Sequence, residues 1–168
     1  MPVMGFMEIT GETQGKIEGS GEMPRGNIKI FGFEHIVEIP RSQNTGLPTG
    51  PRIHNDIVIV KEVDKSTPRL YKALCEGEKL TRIELSWNRP LKDLSENENY
   101  YLISLRNAII TRIQPVISQE YPIKDYKIME KISFAYEKII WTWKPDNIIH
   151  EDSWIEPNKI IVRKNSNS

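Results

Sequence analysis

The residues of this chain best suited to chemistry are three histidines, one cysteine and a cluster of glycines. His54 stands two positions before Asp56, and His150 two before Asp152. Either pair could be a general base with its orienting carboxylate. Such a base needs a nucleophile, yet no serine or cysteine lies in a sharp elbow of the G-x-S-x-G kind. A hydrolytic triad is therefore not supported. His35 shares an alternating face with Phe33, Val37 and Ile39 and reads as a core or boundary histidine. There is no H-x-x-x-H, no C-x-x-C and no acidic calcium loop, so no metal site is expected. Gly19, Gly21 and Gly26, in GSGEMPRG, lack the lysine and hydroxyl of a phosphate cradle and precede strand-like sequence. They read as a turn. Cys75 is alone, which excludes an internal disulfide framework, and it is expected to be a small buried residue on a helix.

These residues must be held by something, and the patterning is mostly that of strands. Ile83, Leu85 and Trp87 alternate with polar neighbours, and the odd positions from Tyr101 to Ile113 are mainly apolar. Such long strands with one polar face fit a closed or nearly closed antiparallel barrel. The apolar phase changes twice: near Gly32, between Ile30 and Phe33, and near Lys138, between Tyr136 and Ile139. A β-bulge at each point would keep the side chains on their faces. One helix is expected over about 67–76, with Thr67 as N-cap, Pro68 in its first turn, Gly77 as its stop, and a Leu70, Ala73, Leu74 stripe. Ile57-Val58-Ile59-Val60 is apolar on both faces, as a strand covered on one side by core and on the other by a helix or neighbouring subunit would be. The charges of 127–138 suggest strands with one solvated or lumen-facing side. Residues 40–51 form a polar loop with Leu47 its sole large apolar residue, and 93–99 and 119–125 are further exposed links. Trp141 and Trp143 flank Thr142 and share a face, either as core filling or as subunit-interface anchors.

The bulk properties limit the function classes. A chain of 168 residues suits one domain. Its 23 basic and 23 acidic residues give a formal net charge of zero, which argues against nucleic acid as a partner. No apolar run is long enough for a membrane span, so no stable membrane insertion is expected. The N-terminus lacks the basic and apolar regions of a secretory signal, so export would use a route without a cleaved peptide.

The ordered motifs NTGLPTGPRIH, VKEVDKSTPRLYKAL, YEKIIWTW and NIIHEDSW resemble the haemolysin-coregulated protein (Hcp) family of type VI secretion systems. The resemblance runs from Met1 to about Trp154 and is closest to enterobacterial-type members with an extended loop. It implies a mainly β fold, an antiparallel barrel flanked by one short helix. It further implies a homohexameric ring that stacks into a tube, meets spike, sheath and baseplate components, and carries small effector proteins in its lumen. Such a protein is cytoplasmic before export, then secreted, and serves virulence or interbacterial competition. The resemblance implies no enzymatic activity and no cofactor. Carried onto this chain, it makes Gln43, Asn44, Thr45, Leu47 and Thr49 the candidate ring-stacking residues. Residues 1–156 would form the one domain, and 157–168 a short extension with a disordered end. That extension is too short for a fused toxin domain. A monomeric barrel acting as an adaptor or effector-binding module is the alternative.

Overall fold

A computed structural model describes residues 4–92, 96–117 and 127–154. The elements in chain order are β1 (Met4–Gly11), β2 (Gly15–Ile17), β3 (Ile28–Ile30), β4 (Gly32–Glu34), β5 (Val37–Glu38), β6 (Ile53–His54), β7 (Ile57–Glu62) and α1 (Thr67–Glu76). They continue with β8 (Leu80–Pro90), β9 (Asn97–Val116), β10 (Met129–Ala135), β11 (Lys138–Trp143) and β12 (Ile148–Ser153). Neighbours pair antiparallel in the order β2-β1-β8-β9-β10-β7-β4, with β3 on β1 and with β11 joining β9 to β12. The expected 119–125 link, part of the 93–99 link and the 157–168 extension lie outside the described residues.

The phase change near Gly32 has a different origin from the bulge expected there. β3 pairs with β1, whereas β4, directly after it, pairs with β7. The chain crosses from one edge of the sheet to the other, and the Phe31 amide donates to the Val60 carbonyl at the crossing. This crossing closes the barrel. A Cβ on Gly32 would stand 2.9 Å from Val60 Cγ2, so glycine permits the approach.

The second phase change is likewise no single-strand insertion at Lys138. The register of β10 and β11 against β9 is the same on both sides of it, Ala135 facing Ile109 and Lys138 facing Arg106. β9 changes face at the same level. Ile103 and Leu105 are buried before Asn107, and Ala108 and Ile110 after it, while Ile109 is exposed. Asn107 has φ +50° and donates its amide to the Glu137 carboxylate at 2.9 Å. On the other neighbour, β8, the buried set passes from Leu80 to Ile83 and Leu85 at that level. Three strands thus turn together. True register shifts occur elsewhere, at Thr10/Gly11, Trp87/Asn88 and Ser133/Phe134.

α1 has the expected bounds, but Ser66 is the N-cap and makes no side-chain cap bond. Thr67 instead accepts the Asp64 amide and donates to the Glu130 carboxylate, tying the helix start to β10. Gly77 ends the helix at φ +63° in the left-handed region, its amide and that of Glu78 reaching back to the last turn. Leu70 and Ala73 enter the core, and α1 packs on β9 rather than over β7. Cys75 is exposed, contrary to expectation, because it lies off that stripe. On β10 Lys131 is exposed, whereas Glu130 lies on the opposite, core-facing side, fully buried and paired with Lys61 at 2.6 Å. The glycine cluster forms a turn bonded to itself through Gly19, Gly21 and Gly26.

Candidate functional site

Residues 36–55 leave the barrel wall as a tongue. At its base β5 and β6 pair over two registers, Val37 with His54 and Glu38 with Ile53, and the Asn55 amide donates to the Ile36 carbonyl. Farther out, Thr49 donates to the Pro40 carbonyl, and Ser42 and Leu47 close the tip. The tip is shaped by its own polar groups. The Ser42 hydroxyl accepts the amides of Asn44 and Thr45, Thr45 Oγ1 accepts the Leu47 amide, and Gly46 takes φ +71°. Gln43, Asn44, Thr45, Leu47 and Thr49 are all exposed, Leu47 to 65%. An apolar side chain on an exposed, internally bonded tip has no role in the barrel core.

The root of the tongue is fastened by five side chains. Arg52 makes a bidentate pair with Asp152 at 2.7 and 2.8 Å and also donates to the Ser153 carbonyl. His54, buried, bonds Asp152 through Nε2 at 2.8 Å and the Tyr136 hydroxyl through Nδ1 at 2.6 Å. The same hydroxyl meets His35 Nε2 at 2.8 Å. The hydrogen bonds from Arg52 and then His54 hold the Asp152 carboxyl far below the usual range, against an opposing effect of its burial. Burial, aided by the carboxylates of Asp152 and Asp56, raises the Tyr136 phenol far above its ordinary value.

The histidines are therefore partnered otherwise than by sequence proximity. His54 takes Asp152, while Asp56 accepts from the Thr111 hydroxyl at 2.6 Å. His150 stacks on Trp141, which also receives the ring of His54. Both nitrogens of His54 are bonded, so neither faces a serine or cysteine nucleophile. His35 belongs to the boundary, as expected, but its partner Tyr136 lies 101 positions away. No local signal in the chain pairs these residues.

Trp141 is partly buried against the core and joins the root of the tongue. Trp143 is 36% exposed; its indole donates to Asp146 at 3.1 Å, and its ring packs with Arg89 and Tyr100. Exposed apolar residues continue on β12 at Ile148 and Ile149. Among the described residues no group of three or more acidic, histidine or cysteine side chains could hold a metal, and no helix is long and apolar enough to cross a membrane.

A family model described as "Type VI secretion system effector, Hcp" matches residues 6–143. The "Major exported protein" of Pseudomonas aeruginosa is 35% identical, the match covering 94% of this chain and 98% of that protein. Among solved structures, an engineered variant of the Hcp1 protein from E. coli EAEC 042 is 32% identical with a TM-score of 0.82, over 91% of this chain and 99% of that one. The secreted protein Hcp3 from Pseudomonas aeruginosa is 30% identical with a TM-score of 0.74, over 91% and 99%.

Proposed function

This chain belongs to the Hcp family of type VI secretion tube proteins, and on that premise we propose that it forms hexameric rings that stack into the inner tube. The rings are expelled with the spike as the sheath contracts on its baseplate, and small effector proteins travel in their lumen. The chain leaves the cytoplasm through that apparatus. It serves as structure and carrier, with no chemistry of its own, and residues 1–156 act as one domain. The observation that carries this reading is the correspondence of nearly the whole chain with a complete Hcp1 chain.

The surface supports the same assignment. Ring formation uses a head-to-tail interface whose rotation closes, and each contact then recurs around the axis. The tongue tip, with Gln43, Asn44, Thr45, Leu47 and Thr49, is the ring-to-ring contact. Its internal hydrogen bonds limit the ordering cost of docking, and repetition around the ring makes a modest contact effective. Trp143 lies in the lateral interface, and Trp141 supports the tongue from behind. Sedimentation velocity and electron microscopy of the purified chain test the assignment. Six-chain rings are expected; monomers alone at high concentration would overturn it in favour of a monomeric adaptor.

A further inference from the structure

The tongue root contains an arrangement that assembly does not require: two histidines joined through one tyrosine hydroxyl. Asp152 accepts from His54 Nε2, which leaves Nδ1 of a neutral His54 as an acceptor. The Tyr136 hydroxyl donates its one hydrogen to that Nδ1, and its oxygen accepts the Nε2 hydrogen of His35. Every bonded atom is satisfied in one direction, from His35 to Asp152.

One added proton does not disturb this chain. On His35 it occupies Nδ1, which bonds nothing in the relay. On His54 it occupies Nδ1, which then donates to Tyr136, while the hydroxyl turns its hydrogen toward Nε2 of a neutral His35. A second proton is different. Both rings then present N–H groups to the same oxygen, the hydroxyl hydrogen has no acceptor within the relay, and two cations flank it. Asp152 offers little relief, because Arg52 already engages both of its oxygens.

We propose that His35, Tyr136 and His54 form a two-proton latch on the tongue, which holds with zero or one proton and releases His35 with the second. His35 is the ring that yields. It is half-buried with a single polar bond, whereas His54 is buried and fixed at both nitrogens. The groups facing the relay are few. Asp152 and Arg52 come from β12 and the tongue, Asp56 acts on Tyr136 from the start of β7, and His150 lies across Trp141. Glu137, next to Tyr136, is engaged by Asn107. Phe33, Trp141 and Trp154 supply apolar ring contacts. Burial and then repulsion from His54 hold His35 below its ordinary value, which agrees with the second proton arriving late. The raised phenol keeps its hydrogen at every relevant pH. Release frees the segment between β4 and β5, which among the described residues is then tied by the short β5–β6 ladder and the bond from the Asn55 amide to Ile36.

The latch is a property of the single chain and does not depend on rings. Its test is an NMR titration of the histidine ring carbons in the full chain from pH 8 to 5, with amide exchange followed at Asn55 and at Leu105. The ring carbons of His35 are expected to report two inflections rather than one, as strongly coupled sites do. Across the lower inflection, exchange at Asn55, corrected for its intrinsic pH dependence, is expected to rise about tenfold, roughly the factor that 1.4 kcal/mol of lost protection produces. Leu105 should not change. Tyr136→Phe should abolish the second inflection and the response at Asn55. His35→Gln, which retains a donor toward Tyr136 but cannot titrate, should leave Asn55 insensitive to pH. A single inflection of His35 in the wild type, a flat Asn55, or a wild-type response in His35→Gln would each overturn the proposal.

Discussion

Replacing Lys61 should destabilise this barrel far more than replacing Lys61 and Glu130 together. The Lys61 ammonium, 1% exposed, donates to Glu130 at 2.6 Å, to the Glu62 carbonyl at 2.7 Å and to Asp64 at 3.1 Å. Glu130 is wholly buried: one oxygen serves Lys61 and Thr67, and the other has no partner among the described residues. Lys61→Met thus leaves a buried carboxylate with only the Thr67 hydroxyl, a loss on the order of 3–5 kcal/mol. Glu130→Gln is milder, about 1–3 kcal/mol, because the ammonium keeps Asp64 and the amide can keep Thr67. Lys61→Met with Glu130→Met removes the charge that Lys61→Met strands, so the double variant should lie within about 2 kcal/mol of wild type. The cycle is read from urea unfolding at fixed protein concentration, followed by far-ultraviolet circular dichroism and tryptophan fluorescence. In thermal melts the Lys61→Met loss corresponds to a fall of roughly 6–20 °C for a chain of this size. A double variant that loses the sum of Lys61→Met and Glu130→Met would refute the reasoning, because the cost would then lie in packing and not in the stranded charge.

Two further outcomes follow from the tongue and its root. Shortening the loop over 43–49 should change unfolding stability by no more than about 0.5 kcal/mol, since these side chains are exposed, and should leave rings intact while reducing stacks seen by electron microscopy. Loss of the rings themselves would place this loop in the lateral interface. Asp152→Asn should flatten the acid side of the stability curve. The folded Asp152 carboxyl lies below its unfolded value of about 3.9, so its contribution is present above that value and is lost as pH falls through the folded one. Urea unfolding at pH 7 and pH 3 should therefore differ less in the variant than in the wild type; an equal difference would remove Asp152 from the acid response.

The amino-acid sequence by itself determined the features set by short-range sterics and periodicity. The helix over Thr67–Glu76 was legible because Pro68, the Leu70 and Ala73 stripe and Gly77 act within one or two turns. The strands were legible from alternation, and the tongue from its Gly, Pro and Asn content. Even the two phase changes could be seen, although their cause could not. Tertiary structure alone decided that the chain at Gly32 crosses between sheet edges, and that Asn107 and Glu137 turn opposite each other. It also placed His54 beside Asp152, 98 positions away, and Glu130 beside Lys61, 69 positions away. Periodicity assigns a residue to a face of its own strand. Which residue meets it there depends on how the barrel closes, and closure is fixed by the register of every strand together.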